Sequence, residues 1–366
     1  MSSGLKIFFA SLMSLALGFG YLDYFVTSAH SFERLHIFLF NLCSGGTIIL
    51  LFSEEKRRLT LRTTCFLILG IGYAILAFLE MYITAMIVSV IMAGIVESIR
   101  MERFSVFPWG FVRKNEPVSA KFHQASLLCL SMSLFISTAV ILNNQFMHWI
   151  YLPKLTLNVF FLGFSFPSSL ITMSLIFSYM EKSDKGAAGP LKELGFWAIN
   201  LGVIIFFIFI IFEQLAWQVV VTLCLFAAVI MILGIHMKLG LPQQQKQFLT
   251  SGLGFLLFTA VTGIAYIFLE IGPEYASEKY RWLLRLHAFA SLYGWNLCGL
   301  AVIARYYDFP ISLNSKTLIG WHWFVVIGLA PIGHLHPMLA FAAVGGYIAV
   351  LYTIFFTHRL ADPGPI

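Results

Sequence analysis

The chain has 366 residues, of which 59% are hydrophobic and only 11% charged, with a formal net charge of +6 and a mean hydropathy of +0.86. Soluble domains carry about 25% charged residues, so this chain cannot cover a water-facing core with polar surface, and lipid is its solvent. The positive charges fall in short segments between apolar runs, where they set membrane topology, and they do not point to nucleic acid.

A membrane span needs about 20 mostly apolar residues. In chain order the apolar runs place spans at 5–26, 34–52, 62–79, 81–99, 124–142, 158–180, 195–213, 217–236, 249–270, 283–305, 317–333 and 336–357. The expected fold class is all-α: a polytopic integral membrane protein of about twelve transmembrane helices, forming a single domain over 1–366, with both termini cytoplasmic. The first run continues through Tyr21 and Tyr24 without a small-residue cleavage site, so it reads as a retained helix and not a signal peptide. Almost no loop separates the third and fourth runs, the seventh and eighth, or the last two. A cytoplasmic N-terminus and alternating loops leave only Arg34, Lys154, Lys279, Arg281 and Arg285 of the 23 Lys and Arg on the outer side. That asymmetry follows the positive-inside rule, and a wrong number of spans would scramble it. One missed or false hairpin would still leave both termini inside. The longest loop, RMERFSVFPWGFVRKNEP within 100–123, mixes basic and aromatic residues as the lipid interface does. Cys43, Cys65, Cys129, Cys224 and Cys298 stand singly in apolar runs and read as packing residues. No convincing short repeat is visible.

Topology gives each polar residue a depth. His36 opens the second span and His287 opens the tenth, both running inward, so the two imidazoles are expected at similar depth near the outer face. His334 and His336 lie in the outer turn PIGHLHP at 331–337, and His30 and His148 in outer loops. His123, His236, His322 and His358 lie toward the inner side. Asp23, Glu80, Glu213 and Glu270 fall at outer helix ends, with Glu97 as the inner exception. A histidine followed at once by a long apolar run is costly to bury and calls for a partner. Neutral imidazole is a good ligand for haem iron, copper and zinc. Two imidazoles from two helices can hold a haem from opposite faces, with Gly45, Gly46, Gly294 and Gly299 letting a flat macrocycle approach the backbone. Small residues at helix contacts are also ordinary membrane packing. Arg281 and Arg285 stand above His287, where haem propionates want cations; interfacial snorkelling explains them equally well. His334 and His336, two apart on a turn, are candidate ligands for an additional metal ion, with His30, His148, Glu270 or Asp23 as a third.

Twelve helices with both ends inside, and histidines near the outer ends of the second and tenth, resemble the catalytic subunit of haem–copper oxidases and nitric-oxide reductases. LHAFASLYGW at 286–295 resembles the tenth helix of the reductase-like branches, and WHWFVVIGLAPIG at 321–333 a segment that follows it. The resemblance implies that His36 and His287 hold a low-spin haem, of b-type. The family's tenth helix usually carries two histidines two apart, but here the earlier position is Arg285. The family's copper histidines on its sixth and seventh helices have no counterpart in 158–180 or 195–212. What the resemblance leaves is an electron relay between a quinol and an outer partner, with redox partner subunits, in the bacterial inner membrane, rather than reduction of oxygen or nitric oxide. Two other readings stay open. One is a membrane enzyme acting on a lipid or polyisoprenoid through outer His and Glu, with Glu213 and Glu270 handling protons. The other is a twelve-helix transporter, for which Pro167 and Pro331 would break helices. No Walker loop, GxSxG, HExxH or histidine-box pattern is present.

Overall fold

The computed structural model describes residues 1–27, 30–152, 154–155, 163–180, 188–272, 275–311 and 313–357. Among these residues the chain is all-helical, with no named strand and a single isolated bridge between Met180 and Gly240. Helix is the economical answer for so apolar a chain, because it satisfies every backbone N–H and C=O within one segment. Ten helices are long and apolar enough to cross a membrane. They are α1 (Ser3–Phe25), α2 (Phe32–Ser53), α3 (Leu61–Phe78), α4 (Tyr82–Arg103), α5 (Val118–Met147), α7 (Ala188–Ile211), α8 (Leu215–Leu239), α9 (Gln244–Ile271), α10 (Lys279–Ala304) and α12 (Pro337–Phe356). Two shorter apolar helices, α6 (Phe164–Ser178) and α11 (Lys316–Ile332), stand where the sequence predicts the sixth and eleventh spans. The first residues of that sixth span, 158–162, and part of the inner loop 181–194 lie outside the described residues, as does His358.

Tight hairpins join the close-set pairs. Glu80 turns the chain between α3 and α4 with φ 59°, and Glu213 does so between α7 and α8 with φ 54°. These are left-handed conformations that a non-glycine residue adopts only where a turn demands it. Both glutamates therefore mark tight corners between helices. Helices consecutive in sequence pack side by side except α6 and α7, and α1 also packs against α12. The second, sixth and tenth helices meet one another at the centre. α2 is almost wholly buried and α10 largely so, whereas α7 and α8 present Leu201, Ile204, Ile208, Trp217, Val220 and Leu223 outward. Large apolar side chains facing out are what a lipid-solvated surface requires.

The central helices are not regular. Residues Phe38–Gly46 of α2, Ala290–Asn296 of α10 and Phe324–Leu329 of α11 form π-helical turns. Such wide turns free carbonyls from the usual ladder and cluster at functional sites. Side chains bond carbonyls in two of these turns: Ser44 Oγ donates to Leu39 O at 2.8 Å, and His322 Nε2 donates to Tyr293 O at 2.7 Å. Close packing explains the glycines. A Cβ at Gly46 would meet the Phe66 ring at 3.0 Å, one at Gly294 the Phe255 ring at 2.5 Å, and one at Gly45 would meet Ser168 Oγ at 2.7 Å.

The packing also exposes a repeat that the linear sequence hides. Arg-Leu-His occurs at 34–36 in α2 and at 285–287 in α10, and Asn-Leu-Cys at 41–43 and 296–298. Four extra residues in the second copy separate the two tripeptides, which conceals the match from a comparison without gaps.

Candidate functional site

The site is built from α1, α2, α9, α10 and the turn before α12. His36 is buried, and its Nδ1 lies 3.0 Å from the Ala16 carbonyl of α1 and 2.7 Å from the Tyr293 hydroxyl of α10. His287 is half-buried, and its Nδ1 lies 2.9 Å from the Thr259 carbonyl of α9, with Thr262 Oγ1 at 3.4 Å. Nε2 of neither ring has a hydrogen-bond partner among the described residues. Each imidazole also rests on a glycine one turn beyond its carbonyl. A Cβ at Gly20 would lie 2.8 Å from His36 Nδ1, and one at Gly263 would lie 3.0 Å from His287 Cε1. The two histidines of the repeated tripeptide thus have matching seats: a carbonyl on the preceding helix, and four residues on, a glycine that makes room for the ring.

This is the donor set of a ligating histidine. A metal-bound imidazole almost always gives its second ring N–H to a carbonyl, carboxylate or water, which fixes tautomer and orientation. The ligand chemistry therefore fits haem iron. The four glycines expected to form a cradle do not. Gly45, Gly46, Gly294 and Gly299 are filled by Ser168, Phe66, Phe255 and Thr172, so they are helix-packing glycines. Asn296 Nδ2 lies 3.4 Å from Asn41 Oδ1 where α2 meets α10.

The guanidinium of Arg285 lies over the Tyr24 ring at 3.9 Å, and its Nε has no partner. Arg281 is exposed beyond it. His334 is turned inward, with ring centroids 5.0 Å from Tyr21, 4.2 Å from Tyr24 and 5.5 Å from Phe289. Both its nitrogens are buried without partners. Burial first, then the charges of Arg285, His36 and Arg281, push its pKa down to about 3. His336 points the other way: it is exposed, and its Nδ1 accepts the Met338 N–H as the cap of α12.

The remaining candidates are dispersed. Asp23 Oδ1 accepts the Phe32 N–H at 2.7 Å and, with Tyr24, His30 and Ser31, lines an open cavity of about 530 Å³. Glu270 pairs with Lys154 at 3.1 Å. His148 is exposed at the end of α5 in a left-handed conformation. Among the described residues no three His, Cys, Asp or Glu side chains come close enough to hold a metal ion. Pro167 sits inside α6, and its carbonyl accepts from Ser126 Oγ at 2.7 Å.

Sequence reasoning missed Tyr293, the hydrogen-bonding carbonyls of Ala16 and Thr259, and Gly20 and Gly263. The repeated Arg-Leu-His was the signal that would have directed attention to the helices preceding α2 and α10. No protein-family model, curated protein or solved structure matches the chain.

Proposed function

We propose that this is a multi-pass haem protein of twelve spans with both ends cytoplasmic, set in the bacterial inner membrane, in which His36 and His287 are the axial ligands. A b-type haem bound there supplies one-electron transfer, and the role that follows is electron relay between a quinol and an outer redox partner. The observation that carries this reading is the matched pair of seats: each Nδ1 faces a helix carbonyl and each Nε2 is left without a partner. Arg285, with a free Nε at the outer level, and Arg281 beyond it are the groups for haem propionates. Neither α6 nor α7 carries a histidine, which supports relay rather than oxygen or nitric-oxide reduction.

The test is a reduced-minus-oxidised spectrum of detergent-purified protein. Sharp haem bands are expected in the wild type and lost in His36→Ala and His287→Ala. Colourless wild-type protein, or bands that persist in both variants, would overturn the assignment and return weight to a lipid-directed membrane enzyme.

A further inference from the structure

We propose that Tyr293 is a positioning residue for His36: its phenol oxygen shares the Nδ1 proton with the Ala16 carbonyl and makes Nε2 of His36 a stronger donor than Nε2 of His287. The inference rests on the haem reading for its purpose, though not for its test.

The argument begins from what each neighbour of Nδ1 can do. Ala16 O only accepts, and it lies 3.0 Å away, so the tautomer with a proton on Nδ1 is the one it stabilises. Tyr293 Oη lies closer, at 2.7 Å. With the proton on Nδ1, the phenol oxygen is a second acceptor and the bond is three-centred. The phenol proton then turns away from the imidazole, and the Tyr347 ring packs edge-on against the phenol at 5.0 Å. In the opposite tautomer the phenol would donate to Nδ1, and the Ala16 carbonyl, 3.0 Å away, would face a lone pair. The first arrangement leaves Nε2 as a lone pair.

His287 lacks this second strong acceptor. Thr262 Oγ1 is 3.4 Å from its Nδ1, too far for a strong bond. Two acceptors drawing on one N–H give the ring more imidazolate character than one does, and hydrogen bonding at the far nitrogen raises ligand basicity. Tyr293 is itself held firmly. It is buried, its carbonyl accepts from His322, and its ring packs at 5.0 Å on Phe40. A phenol so fixed aims its oxygen at one place.

The experiment is nitrogen-15 histidine spectroscopy on the full-length protein prepared without haem, comparing wild type, Tyr293→Phe and protein with 3-fluorotyrosine at 293. The wild type is expected to show His36 protonated at Nδ1, with that proton further downfield than its counterpart on His287. In Tyr293→Phe it moves upfield while the His287 signal stays, which controls for folding. The fluorinated phenol, a weaker acceptor of the same shape, gives a smaller upfield move. His36 protonated at Nε2, or an Nδ1 proton that ignores both changes, overturns the proposal. In haem-loaded protein, loss of the second acceptor shifts the reduction potential positive, and an unchanged potential also counts against it. Because the spectra need no haem, colourless protein would sink the haem reading and leave this result readable.

Discussion

Asn41 and Asn296 meet at the junction of α2 and α10, with Asn296 Nδ2 lying 3.4 Å from Asn41 Oδ1 and also donating to Ser165 Oγ of α6 at 3.0 Å. Each amide opens an Asn-Leu-Cys tripeptide, and both are almost fully buried. Asn41 Nδ2 and Asn296 Oδ1 are left without partners. Polar side chains between apolar helices fix register, because misalignment strands them in hydrocarbon.

Asn296→Leu should therefore destabilise the protein by about 1–3 kcal/mol, since it strands Asn41. The double change Asn41→Leu/Asn296→Leu should cost less than the sum of the singles, because neither amide then remains unpaired. Thermal or denaturant unfolding in detergent reads this, and strictly additive losses would count against the coupling.

Gly20→Ala and Gly263→Ala should each displace an imidazole, because the new methyl would lie 2.8 Å from His36 Nδ1 or 3.0 Å from His287 Cε1. Loss of haem binding with the fold retained is the expected outcome. Gly18→Ala is the control, since nothing lies within 4 Å of its Cβ position. Equal spectra for all three variants would show that the seats do not matter.

Gly299→Ala should be among the costlier glycine changes, because its Cβ would overlap Thr172 Oγ1 where α10 crosses α6. Overpacking of this kind costs about 1–3 kcal/mol. Gly94→Ala in α4 has open space around it and should be neutral or stabilising by up to about 1 kcal/mol. The difference in melting temperature between the two variants measures the tightness of the central contact.

Arg305 ties three segments together where α1 begins and α12 ends. It donates to Ile354 O at 2.8 Å and Thr357 O at 2.6 Å at the end of α12, and to Asp308 Oδ2 at 2.7 Å. Asp308 also pairs with Lys6 of α1. Arg305→Ala should loosen the α1–α12 closure and lower the melting temperature more than Lys6→Ala does, because only Arg305 serves the buried carbonyls of α12. Limited proteolysis near either terminus would show the loosening directly.

His334 predicts a pH dependence. Its ring faces Tyr21 and Tyr24 of α1, Phe289, Arg285 and Arg281 of α10 and His36 of α2. Its folded pKa, about 3, lies below the unfolded value of 6.5. The unfolded chain therefore binds more protons between those values, and stability falls as pH drops through that window. The contribution is fully present above pH 6.5. His334→Phe should flatten the decline in melting temperature on acidification, and an unchanged slope would assign it to other groups.

What the linear sequence determined is the element list and its apolarity. Ten of the twelve apolar runs form helices long and apolar enough to cross a membrane, and the sixth and eleventh runs hold shorter apolar helices, because hydropathy and length are properties of each segment alone. It also nominated His36 and His287, since a titratable group heading an apolar run is visible without neighbours. What only the tertiary structure decided is which atoms those side chains meet. Ala16 and Gly20, like Thr259 and Gly263, are unremarkable in their own helices and acquire meaning when another helix lays an imidazole on them. Gly45, Gly46, Gly294 and Gly299 read equally as a cradle or as contacts until Ser168, Phe66, Phe255 and Thr172 fill them. His334 and His336 look like a pair in sequence, but on this turn they point apart, one into aromatic packing and one to a helix cap. Helix-to-helix register is set by contacts between residues hundreds of positions apart, and no local pattern encodes it.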